Sequence, residues 1–263
     1  MIDFKKAHQA FETYLDSYNR KDDKIRLKII HTYGVMTYSE EISRRMKLSS
    51  QDTDLAKIIA LLHDIGRFEQ LKRFDSFQPD TMDHAAYGVQ ILFEEGMIRQ
   101  FIEDPSWDSV IRTAIALHSD YILRSIPHPQ TQLHAKLIRD ADKLDNCRVK
   151  LEEPIETLLG ISPKELGHSQ ISPHIADAFF HNQCIESSQR VTPMDYWVSY
   201  IAYFYDINFQ ASRDIIHEKN YISRIIHRIP YENPETKTHM KQMEIHLKRY
   251  FGNLGTNFGT CSF

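Results

Sequence analysis

His31, His63, Asp64, His84, His118 and Asp142 are the residues of this sequence whose types and spacing could do chemistry together. Each lies within or at the end of a run that is otherwise apolar. His31 interrupts a seam formed by Leu27, Val35, Tyr38, Ile42 and Met46, and the His63-Asp64 doublet follows "AKIIALL". His84 opens "DHAAYGVQILF", His118 ends "VIRTAIALH", and Asp142 sits in "KLIRDADKLDN". Burying an imidazole or a carboxylate without a partner is costly. One histidine on such a face is ordinarily a core residue bonded to a backbone carbonyl, and an aspartate on a helix is ordinarily a surface or capping residue. All of them together ask for a shared partner. A divalent metal gives every one of them a partner at once, and helical bundles build such sites from inward-facing side chains. A mixed nitrogen and oxygen donor set suits Mn, Fe, Zn or Mg better than a thiolate site would.

The doublet adds a second constraint. Neighbouring helix positions point about 100° apart, so His63 and Asp64 share a target only if they converge from the last turn. Asp64 has two oxygens and can bridge two ions while His63 holds one. The doublet therefore points to two metals.

The elements that must position these residues are helical nearly throughout. The pattern predicts helices over 24–46, over 52–66 with Asp52 or Thr53 as N-cap and Gly66 as the stop, and from an Asp83 cap to about Glu95, closed by Gly96. Ala85 and Gly88 would let another backbone approach closely. Further helices are expected at 107–118, 132–150, 173–182, 193–206, 209–228 and 234–251. Residues 67–81 read as a loop or a short irregular helix. "GNLGTNFGTCSF" at the end reads as a frayed tail. No run alternates strongly enough to be a strand, and no internal repeat is visible. Residues 1–150 are expected to carry the metal site. Residues 151–263, rich in Pro and Gly at their start, are expected to be a helical extension packed on it as one globular unit.

Composition bounds the partners. The net charge is −4 with both signs interspersed, so there is no nucleic-acid footprint. No apolar run reaches the roughly 20 residues of a membrane span, and the first residues lack the apolar core of a signal peptide. Cys147, Cys184 and Cys261 are far apart and odd in number, which suits a reducing, cytoplasmic setting. The aromatic run "DYWVSYIAYFYDINF" is expected to be core or a homo-oligomer face.

The order His31 … His63-Asp64 … Asp142 resembles the HD-domain superfamily of metal-dependent phosphohydrolases. "LLHDIG" is similar to that family's signature, "ADKLD" to its final aspartate motif, and His84 and His118 to the extra histidines of its binuclear members. The resemblance covers roughly residues 24–150. It implies an all-α HD-domain helical bundle, here with additional C-terminal helices. It implies that His31, His63, Asp64 and Asp142 are metal ligands, with His84 and His118 serving a second ion. "HDIGRFEQ … DHAAYG" is similar to a bacterial group of stand-alone HD proteins. There are departures. Cyclic-dinucleotide phosphodiesterases of the HD-GYP type carry Lys where this chain has Arg67, and a later Gly-Tyr-Pro that is absent here. The extra domains of the stringent-response enzymes are absent too.

The expected activity is hydrolysis of a nucleotide or other small phosphate ester by a metal-activated water at a dinuclear site. The cofactor is one or two divalent ions per chain, drawn from Mn, Fe, Mg, Co, Ni or Zn. Asp64 bridges, Arg67 clamps phosphate, and Lys143 is a weaker catalytic candidate because it adjoins a ligand and points elsewhere. Asp140 and Asp145 are candidate acceptors that orient the imidazoles. Arg73, Phe74 and Phe77 are candidates to line a substrate pocket, although plain packing fits those aromatics better. Asp83 reads as a cap. His8, His128, His134, His168, His174, His181, His217, His227, His239 and His246 read as surface or local hydrogen-bonding residues. The same ligand set also suits a mixed-valence di-iron oxygenase, or a metal module without catalysis.

Overall fold

A period of 3.6 residues dominates the sequence, and among the residues described by the computed structural model (2–78 and 80–256) every regular element is a helix. None of these helices is long and apolar enough to cross a membrane. The chain divides into two units, Met1–Asn146 and Cys147–Phe263.

The first unit holds α1 (Phe4–Leu15), α2 (Asp23–Arg45), α3 (Ser50–Leu62), α4 (Ile65–Phe74), α5 (His84–Val89), α6 (Ile98–Phe101) and α7 (Asp108–Ala116), together with most of α8 (Pro129–Glu152). Local chemistry sets their starts. Asp22 caps α2 by accepting from the backbone N–H groups of Lys24 and Ile25, and Asp83 caps α5 by accepting from those of Ala85 and Ala86. The α5 helix continues into a wide π turn, Gln90–Glu94, and the chain then turns at Gly96 with φ of 79°, a left-handed conformation that glycine adopts without strain. Phe11, Leu15, Val35, Leu61, Leu62, Phe68 and Ile115 are fully buried and form the core between these helices.

Several boundaries differ from the sequence pattern. The cap of α3 is Ser49, which accepts from the backbone N–H of Asp52, so Asp52 lies inside the helix. Of residues 67–81, expected as a loop or a short irregular helix, 67–74 are helical and make up most of α4. Gly66 does not stop a helix. It is the second residue of α4, and the break comes earlier, at His63 and Asp64. Its role is close approach: a Cβ at Gly66 would lie 2.3 Å from His84 O and 2.7 Å from Gly88 N. Gly88 faces Gly66 across this contact as its neighbours suggested. Residues 4–15, without an assigned element in the sequence pattern, form α1.

The second unit holds α9 (Ile155–Leu159), α10 (Pro163–His168), α11 (Pro173–Phe180), α12 (Pro193–Ala202), α13 (Gln210–Glu218), α14 (Tyr221–Ile226) and α15 (Pro234–Thr256). The prolines begin helices here, where the missing N–H is no loss. The expected single helix over 209–228 is two, broken at Asn220, whose φ is 50°. The aromatic run packs inside this unit, with Trp197 fully buried and Tyr205 in edge contact with Phe179 and Tyr250. Residues 252–256 of the proposed frayed tail belong to α15; the rest of that tail, with Cys261, lies outside the described residues. Cys147 is buried and Cys184 half-buried, the latter with its Sγ donating to Ala202 O at 3.6 Å.

The Gly66 contact gives a ranking. Gly66→Ala drives a Cβ into backbone and is expected to cost about 1–3 kcal/mol. Gly88→Ala meets Ile65 Cγ2 at 3.3 Å, a side-chain atom that can shift, and is expected to cost less. Thermal unfolding of both variants checks the order; an equal or reversed loss of melting temperature contradicts it.

Candidate metal centre

The first unit brings the proposed ligands together from separate elements. His31 comes from α2, His63 and Asp64 from the turn between α3 and α4, His84 from the first position of α5, His118 from just beyond α7, and Asp142 from α8. Asp64 is the middle of the cluster. Its Oδ2 lies 3.3 Å from His63 Nε2 and 3.8 Å from His31 Nε2. Its Oδ1 lies 3.3 Å from His84 Nε2 and 3.6 Å from His118 Nε2. Asp142 Oδ1 closes the first group at 2.9 Å from His31 Nε2 and 3.9 Å from His63 Nε2. His84 Nε2 and His118 Nε2 are 3.1 Å apart. The two oxygens of Asp64 thus face two different sets of nitrogens.

The break after Leu62 is what lets adjacent residues converge. Asp64 stands at the N-cap position of α4 with φ of −106° and ψ of 18°, and its side chain caps nothing. An aspartate there would ordinarily accept from the next backbone N–H groups. Here its carboxylate is turned into the cluster instead.

The outer ring nitrogens fix which atoms point inward. His63 Nδ1 is 2.7 Å from Ala60 O and His118 Nδ1 is 2.7 Å from Ile115 O. A carbonyl only accepts, so each Nδ1 carries the proton and each Nε2 of the neutral ring is a lone pair. His31 Nδ1 is likewise held by Asp145 Oδ2 at 2.8 Å. His84 Nε2 accepts from Arg67 Nη2 at 2.9 Å. Lone pairs and carboxylate oxygens therefore face one another. His31 Nε2 and His63 Nε2 are buried with no hydrogen bond in good geometry. Such atoms are rare unless something supplies positive charge. Three-residue donor groups, His31/His63/Asp142 and His63/Asp64/His118, have ligand atoms within 4.8 Å of one another. The residues fit divalent metal.

Electrostatics say the same. Burial would raise the Asp64 carboxyl, but the Lys28 ammonium and the His63 ring hold it well below the usual carboxylate range. Burial would raise Asp142 as well, and the His31 ring beside it reverses this. Burial and Lys28 depress the His31 imidazole, and the carboxylates of Asp142 and Asp145 beside it outweigh them and raise it. His84 is pushed down by burial and by Arg67, so it stays neutral. The carboxylates of Asp64 and Asp142 therefore stay ionised, the form that takes a cation. The cluster opens at Asp142, whose side chain is 22% exposed against 4% for Asp64 and 0% for His63.

Other expectations fall variously. Arg67 reaches the cluster. Its Nε is 3.8 Å from Asp64 Oδ1, and its Nη1 donates to Gln70 Oε1 at 2.5 Å and to Phe77 O at 3.4 Å. Lys143 Nζ donates to Arg139 O of its own helix at 3.4 Å. Asp140 is buried. Arg73 pairs with Glu69 and with Tyr87 Oη, and Phe74 is exposed. His134 is neither exposed nor locally bonded: it is buried, with Nε2 3.3 Å from Asp52 Oδ1 on another helix. The other histidines read as surface residues are exposed or half-buried.

Three residues escaped the sequence pattern. Lys28 is buried and ion-paired with Asp64 Oδ2. Gln70 is fully buried and holds Arg67. Gly34 leaves room for Asp145, since a Cβ there would lie 1.9 Å from Asp145 Oδ1. The available signal was spacing: Lys28, His31 and Gly34 follow one another at three-residue steps on one face of α2.

Asp145→Asn removes the acceptor that orients His31 and is expected to weaken metal binding about 10- to 100-fold. Gly34→Ala should give the same defect, because it displaces that carboxylate. Competition against a chelator of known affinity measures both; wild-type affinity in Asp145→Asn contradicts the assignment.

A family model described as the HD domain matches residues 29–147. That segment contains every residue of the cluster. No curated protein and no solved structure gives a significant match to the chain. The HD-domain family is largely one of metal-dependent hydrolases. With the ordered His and Asp residues gathered in an all-helical unit over the matched segment, residues 29–147 are an HD domain.

Proposed function

We propose that this protein is a phosphohydrolase that uses two divalent ions to act on a nucleotide or another small phosphate ester. The observation that carries the reading is the division of labour at Asp64. One oxygen faces His31 and His63, and the other faces His84 and His118. His31, His63, Asp142 and Asp64 Oδ2 would hold one ion; Asp64 Oδ1, His84 and His118 would hold the other. Bound there, divalent metal supplies Lewis acidity, polarising a phosphoryl oxygen and acidifying water.

The chain's own residues do the rest. Asp145 and the carbonyls of Ala60 and Ile115 lock three imidazoles so that no reorientation is needed on binding. Arg67 offers a planar fork suited to phosphate oxygens beside Asp64 Oδ1. Lys28 adds positive charge on the opposite side of the same carboxylate. The exposed edge of Asp142 is the side from which a substrate would approach. Lys143 is assigned no step.

The test is a screen of purified protein against nucleotides and phosphate esters with Mn, Mg, Fe, Co and Ni, measuring phosphate release. Metal-dependent release is expected, with Asp64→Asn at background and Arg67→Ala lowered about 100-fold in kcat/KM. Protein from its native host with a mixed-valence di-iron EPR signal and no release from any ester would overturn the hydrolase in favour of an oxygenase.

A further inference from the structure

We propose that Arg67 gates the half of the centre built on His84, and that a phosphoryl anion releases it, so that the second ion and the phosphoryl group load together. This rests on the two-ion reading above and deepens it. The key contact is Arg67 Nη2 to His84 Nε2 at 2.9 Å. That nitrogen is the same atom that faces His118 Nε2 and Asp64 Oδ1. An imidazole nitrogen has one lone pair. It is given to a guanidinium or to a metal ion, never to both.

The other half of the centre carries no such block. Lys28 also sits against the cluster, but it is paired with Asp64 Oδ2, and a carboxylate oxygen has more than one lone pair to give. The inward nitrogens of His31 and His63 accept from no donor. The two halves are therefore unequal: one is ready for an ion and the other is held by a cation of the chain. Like charge sharpens the difference, because an ion beside His84 would press against the guanidinium.

Arg67 is built to swing rather than to leave. Gln70 anchors its Nη1, and Gln70 is itself fixed by Nε2 bonds to Gln78 O at 2.8 Å and Thr81 Oγ1 at 2.7 Å. The guanidinium side chain keeps 15% exposure, so its Nη2 edge can exchange His84 for an incoming oxygen. A phosphoryl group is the partner that a guanidinium fork takes most readily. Once Arg67 bonds phosphate, His84 Nε2 is free for the ion. By linkage the effect is mutual: the second ion tightens phosphate by the factor that phosphate tightens the ion.

The experiment counts Mn(II) per chain after equilibrium dialysis of metal-free full-length protein, with and without inorganic phosphate, for wild type, Arg67→Gln and Arg67→Lys. In wild type the second ion should tighten about tenfold when phosphate is added. Arg67→Gln should bind its second ion about as tightly without phosphate as wild type does with it, and phosphate should then change little. Arg67→Lys keeps the charge without the fork and should fall between; if Arg67→Gln does not fold, this variant decides. The gate is overturned if phosphate tightens the second ion equally in wild type and variants, which would make phosphate a simple ligand. It is also overturned if the variants bind the second ion no better than wild type without phosphate. One ion per chain under every condition would sink the two-ion reading itself, and the gate with it.

Discussion

A helix sends consecutive side chains about 100° apart, and the centre of this molecule exists because that rule is suspended between Leu62 and Ile65. With α3 ended, His63 and Asp64 turn to one point. The break has a cost. Asp64 occupies a capping position without capping, and its charge is buried beside acceptors that repel it. What offsets this is a set of fixed positive groups, Lys28 on one oxygen and Arg67 beside the other. The remainder of the first unit follows from that point. α2, α5, α7 and α8 each deliver a residue to it, and the glycines Gly34 and Gly66 mark where those deliveries leave no room for a side chain.

Orientation in the centre comes from outside it. Of the four imidazoles in the cluster, three are held through Nδ1, two by backbone carbonyls and one by Asp145. These bonds choose the tautomer as well as the angle. The inward nitrogens of His63 and His118 are therefore acceptors by default, whatever enters the cluster. The fourth imidazole differs: His84 is held through its inward nitrogen by a cation. The asymmetry between the halves is thus a matter of which nitrogen is used for anchoring.

Much of this was legible in the sequence, for one physical reason. A polar residue stranded on an apolar helical face must have a partner, and His31, His63, Asp64, His84, His118 and Asp142 are all stranded in that way. The helical class was legible from periodicity, and Asp83 and Gly96 were legible as punctuation. What was not legible depends on distances between helices. Lys28 reads as a solvated lysine until Asp64 is brought from 36 positions away. Gly34 reads as an ordinary glycine until Asp145 arrives from α8. Gly66 shows the same limit from the other side. As a local signal it marks a helix end, but it is required by the backbone of α5 and sits inside α4. Even the ordinary alternative for the histidines proved partly right, since His63 and His118 do bond backbone carbonyls, through the nitrogen that faces away from the cluster.

Those two bonds have a consequence for the history of the chain. Ala60 and Ile115 lie in the last turns of α3 and α7, where carbonyls run short of regular helical donors; Ile115 O keeps a long bond from the backbone N–H of His118 at 3.5 Å. The rings of His63 and His118 add a shorter N–H bond from three residues on. Each is at once a cluster residue and the plug of a helix end. A lineage that gave up chemistry would still gain from keeping both, because their loss would remove a 2.7 Å hydrogen bond from each helix end. His84 and Asp142 plug no helix end. In a drifting descendant they would be free to erode first, so they are the positions at which retained chemistry and retained architecture can be told apart.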